Sequence, residues 1–72
     1  MNDEVFNISL RKFLKMVGVS SQREIEQAVA RALQEGAIAG TETFPATMTL
    51  EIPQLNLRTH FHGEIRLEDR EP

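Results

Sequence analysis

His60, His62 and Glu64 come nearest to a chemical site in this chain. Alternate residues of a strand share one face, so the three would point the same way in steps of about 6.6 Å. Two imidazoles and a carboxylate form a ligand set that suits a divalent ion. The strand expected opposite, however, offers Thr47 and Thr49 rather than further ligands. An open sheet face also supplies no outer hydrogen bonds to orient the imidazoles. A solvated polar face is therefore the expectation, with no metal and no cofactor.

A second constellation is Arg23, Gln27 and Arg31, residue types that read base edges and phosphates from a helix face. The same helix carries Glu24, Glu26 and Glu35. In a major groove those carboxylates would approach phosphates, where each contact needs the opposite sign. Nucleic acid is not the expected partner, and the DNA-binding reading stands as the alternative. Catalysis has less to build on. Ser9, Ser20 and Ser21 fall in or between the expected helices, and both histidines fall on the hairpin. No segment is long enough to wall off a pocket in which catalytic groups are perturbed. An enzyme is not expected.

The elements that must position these residues follow from periodicity. Asn2 or Asp3 caps a first helix, with Asp3 and Glu4 at its positive end and Arg11, Lys12 and Lys15 farther along. At about 100° per residue, Phe6, Leu10, Phe13 and Val17 form one apolar stripe, while Ile8 points out among the cations. Gly18 then suits a left-handed helix end. Ser21 and Glu24 have the spacing of a capping box that would start a second helix. Loss of that cap in Ser21→Ala should cost about 1 kcal/mol. The second helix is expected over 22–35, with Ile25, Ala28, Val29, Ala32 and Leu33 inward and Gly36 ending it.

After Gly36 the period changes to two. A short third strand is expected near residues 37–39. Ala46, Met48, Leu50 and Ile52 then alternate with Thr47, Thr49 and Glu51, and residues 53–56 form a turn. Residues 57–67 alternate in the same way. Pairing Ile52 with Leu57 sets Leu50 against Thr59, Met48 against Phe61 and Ala46 against Gly63 on one face. Glu51 then meets Arg58, Thr49 meets His60 and Thr47 meets His62 on the other. A slip of one residue would mix the faces, so this register is favoured.

The expected fold is thus α+β. A helix-turn-helix-like pair packs on a C-terminal antiparallel β-hairpin, in the order α-α-β-β and with a winged-helix-like arrangement. Residues 1–67 form a single domain and residues 68–72 an acidic tail. The expected core is Phe6, Leu10, Phe13, Val17, Ile25, Val29, Leu33, Met48, Leu50, Ile52, Phe61, Ile65 and Leu67.

Composition narrows the function classes. The 72-residue chain has no cysteine, so it has no disulfides or thiolate sites. Its net charge is −3, from 8 basic and 11 acidic residues, with none of the basic excess of a nucleic-acid binder. No run approaches the length of a membrane span, and the N-terminus Met-Asn-Asp-Glu is acidic where a secretory signal is basic. A cytoplasmic protein is expected. A chain this small and unstapled gains stability from a partner. Free hairpin edges invite another strand. The expected function is accordingly a small protein-interaction module that self-associates as a homodimer or binds another protein.

The run from Asn7 through Gly18 and Ser21 to Glu26 resembles a family of small, uncharacterised bacterial proteins known only as a domain of unknown function. Residues 45–50 (Pro-Ala-Thr-Met-Thr-Leu) and 63–65 (Gly-Glu-Ile) are similar to its later segments. The resemblance implies a bacterial cytoplasmic protein and carries no site residues.

Overall fold

In a computed structural model, residues 1–69 are described. Residues 70–72, part of the expected acidic tail, lie outside the described residues. The chain divides into two compact units, with the boundary between Ala37 and Ile38.

The first unit is one uninterrupted helix, α1 (Asp3–Gln34). The Asn2 side chain caps it, accepting the N–H groups of Glu4 at 3.0 Å and Val5 at 3.1 Å. Asp3 and Glu4 occupy its first turn, where carboxylates oppose the positive end of the helix dipole. At the far end Gly36 adopts φ 72°. Gly36 donates to the Leu33 carbonyl at 3.1 Å and Ala37 donates to the Ala32 carbonyl at 2.9 Å. This bond pair is a Schellman closure, which satisfies carbonyls that a helix end otherwise leaves bare.

The expected pair of helices is corrected here, because the described residues hold one α-helix and no corner at residues 17–24. Gly18 and Ser21 are both interior helical residues. A break would forfeit several i to i−4 hydrogen bonds on each side. Keeping Gly18 helical costs only about 1 kcal/mol relative to alanine. The Ser21 and Glu24 spacing has no cap to form once the turn before it is helical. Without the corner, neither a helix-turn-helix nor a winged-helix arrangement exists.

The second unit is an antiparallel hairpin of β1 (Thr43–Ile52) and β2 (Leu57–Arg66). Its register runs from Thr43 opposite Arg66 to Ile52 opposite Leu57. Every cross-strand pair expected from the alternation is found, including Met48 with Phe61 and Thr49 with His60. The connection is a single 3-10 turn, Pro53–Leu55, followed by Asn56 in the left-handed region at φ 53°. Proline fixes the entry to that turn, and asparagine tolerates the positive φ that leads into β2. The expected third strand is absent. The segment before β1 is a loop held by Glu42.

Within neither unit is a described residue buried. In α1, Phe6 is 48% exposed and Phe13 is 47% exposed. In the hairpin, Phe61 is 58% exposed.

Candidate functional site

The hairpin's polar face is built from Thr47 and Thr49 on β1 and from His60 and His62 on β2. Register sets Thr47 opposite His62 and Thr49 opposite His60. In each pair the threonine hydroxyl hydrogen-bonds the imidazole Nδ1, at 3.2 Å for Thr47 with His62 and 2.9 Å for Thr49 with His60. Which partner donates depends on the histidine tautomer. The two rings lie 6.4 Å apart, tilted by 38°. Glu64 follows on the same strand, opposite Pro45. Among the described residues no three histidine, cysteine, aspartate or glutamate side chains are grouped so as to hold a metal ion. Chemically the ladder is a pair of cross-strand hydrogen bonds that fasten the sheet. Glu51 and Arg58 extend it with an exposed ion pair at 3.9 Å, which is worth at most about 1 kcal/mol.

Arg23, Gln27 and Arg31 lie on successive turns of α1, each exposed to solvent. They occupy the continuous helix rather than a recognition helix entered by a turn. Nearby, Gln22 donates to the Glu26 carboxylate at 3.3 Å, one turn on along the same helix.

Glu42 is a residue that motif reasoning missed. Its carboxylate accepts three consecutive backbone N–H groups, from Ala39 at 2.8 Å, Gly40 at 2.9 Å and Thr41 at 3.1 Å. The Ala39 hydrogen bond, helped by the others, holds the Glu42 carboxyl below its usual pKa even though desolvation opposes the shift. Gly40 makes the loop possible with φ 98°. The Glu42 carbonyl also accepts the Leu67 N–H at 2.9 Å, extending the strand pairing beyond β1. The signal in the sequence was slight: one glycine, two residues before an acid.

The surface with the most unspent free energy is apolar. Phe6, Leu10, Phe13 and Ile25 on α1 all stay exposed, as do Met48 and Phe61, which face each other across the hairpin. No helix among the described residues is long and apolar enough to cross a membrane.

None of the curated proteins or solved structures compared with the chain matches it. One family model does match, described as a family of unknown function, DUF6494, and it spans residues 1–68 of the 72. The match runs through the helix, the Glu42 loop and both strands, and the chain belongs to that family.

Proposed function

We propose that this chain is a small, non-enzymatic, cytoplasmic interaction module that self-associates, its apolar surfaces being covered by a second copy. The observation that carries the reading is the absence of any buried described residue alongside regular, well-capped secondary structure. A helix in a protein draws most of its stability from packing an apolar face. A lone two-stranded hairpin is marginal in water. Both units therefore call for a further layer, and the chain has neither disulfide nor cysteine to replace one. A second copy is the simplest source of that layer, and a two-fold dimer is its commonest form.

The test is thermal unfolding followed by circular dichroism across about a hundredfold range of protein concentration. Unfolding coupled to dissociation makes the midpoint rise with concentration. A midpoint that stays constant while the transition remains cooperative would contradict self-association.

A further inference from the structure

We infer that two copies of α1 pair antiparallel about a two-fold axis near residue 19; the inference rests on the self-association just proposed. The sequence of the helix carries the argument. A row through Phe6, Leu10, Phe13 and Val17 continues through Ser21, Ile25, Ala28 and Ala32, apolar at every position but Ser21, with Glu24 in line with Phe6 and Arg31 in line with Phe13. The steps are four, three, four, four, four, three and four, which read the same in both directions. At about 100° per residue all eight positions lie within about 60° of a single line along the helix. The continuity of α1 through Gly18 puts both halves of the stripe on one cylinder.

A two-fold axis at the midpoint of that pattern sets each stripe residue against its mirror position on the other copy. Phe6 meets Ala32, Leu10 meets Ala28, Phe13 meets Ile25 and Val17 meets Ser21. In each pair the bulkier side chain comes from the first half, with the smallest difference between Phe13 and Ile25. Alternating large against small lets facing layers interdigitate. A parallel pair would instead stack Phe6 on Phe6 and leave Ala32 against Ala32, with gaps at one end.

Charge favours the same direction. Residues 3–18 carry Arg11, Lys12 and Lys15 against Asp3 and Glu4, a net +1. Residues 20–35 carry Arg23 and Arg31 against Glu24, Glu26 and Glu35, a net −1. Antiparallel pairing about residue 19 lays the +1 half along the −1 half, whereas parallel pairing sets like charge beside like. Opposed helix dipoles add to the preference. The area is sufficient. A helix of 32 residues is about 48 Å long, and a strip about 10 Å wide gives roughly 1,000 Å² over two copies, the threshold of a specific interface.

The absence of native cysteine permits a direct test with single-cysteine variants of the full chain. Leu10→Cys and Ala28→Cys are prepared separately, then oxidised alone and as an equimolar mixture. Antiparallel pairing predicts a cross-linked dimer from the mixture and almost none from either variant alone, since like positions then lie about 27 Å apart along the axis. Cross-linking of each variant with itself would overturn the antiparallel arrangement. The pair Phe6→Cys and Ala32→Cys repeats the test if Leu10→Cys loses helicity. Light scattering on the unmodified chain separates the two levels of failure. A monomer there defeats self-association, whereas a dimer whose mixed variants do not cross-link defeats only the helix pairing and leaves the hairpin edges as its contact.

Discussion

The Glu42 carboxylate and the Ala39 backbone N–H are joined by a 2.8 Å hydrogen bond that closes the loop leading into β1. Because the same carboxylate also receives Gly40 and Thr41, the loop is organised around one negative charge. The Glu42 pKa is lowered in the folded chain, so its contribution is fully present above the unfolded glutamate pKa. It is lost as pH falls through the lower folded value. The amide proton shifts of Ala39 and Gly40 should titrate with a midpoint below that of an ordinary glutamate. Glu42→Gln should abolish the titration. A midpoint at or above the ordinary value would contradict the arrangement.

Gly18 and Gly36 should respond in opposite senses to alanine. Gly18 is helical and a Cβ there meets nothing within 4 Å, so Gly18→Ala should stabilise the chain by about 1 kcal/mol. Gly36 sits at φ 72°, where a side chain is strained, and Gly36→Ala should cost about 1 kcal/mol. Denaturant midpoints report both. A destabilising Gly18→Ala would restore the corner that the continuous helix excludes.

Ser21→Ala discriminates the same point independently. As a capping residue Ser21 would lose about 1 kcal/mol on replacement. As an interior helical residue it should gain a few tenths of a kcal/mol from alanine's higher propensity. Chemical denaturation of the two proteins side by side decides between these signs.

Leu10 and Ile8 should differ sharply although both are exposed in a single chain. Leu10 lies on the apolar stripe, and Leu10→Ala should destabilise the associated form by about 2 kcal/mol per copy. Ile8 points away from the stripe, and Ile8→Ala should change stability by less than about 0.5 kcal/mol. Equal effects at the two positions would argue against the stripe as the contact.

How much of this was legible in the sequence depends on the range of the signal. The hairpin register was readable because a slip of one residue would have set Met48 against a histidine and Phe61 against a threonine. The helix start at Asn2 or Asp3, which the Asn2 cap settles, and the Gly36 stop were readable because each is decided within four residues. Gly18 misled for the same reason. A glycine followed by serine and glutamate at capping distance looks alike inside a helix and at its end, and the ladder of backbone bonds on both sides decides. Glu42 was not legible, because a carboxylate folding back onto three preceding amides leaves no periodic trace. The exposure of Phe6 and Phe13 within the helix unit was not legible either, since an apolar stripe looks the same covered or bare.

Self-association is the central claim, and mass in solution tests it most directly. Size exclusion coupled to light scattering over about a tenfold concentration range should report roughly twice the 8.2 kDa of one chain, in keeping with a closed two-fold pair. A mass of one chain at the highest concentration, with helical and strand signals intact, would contradict the account.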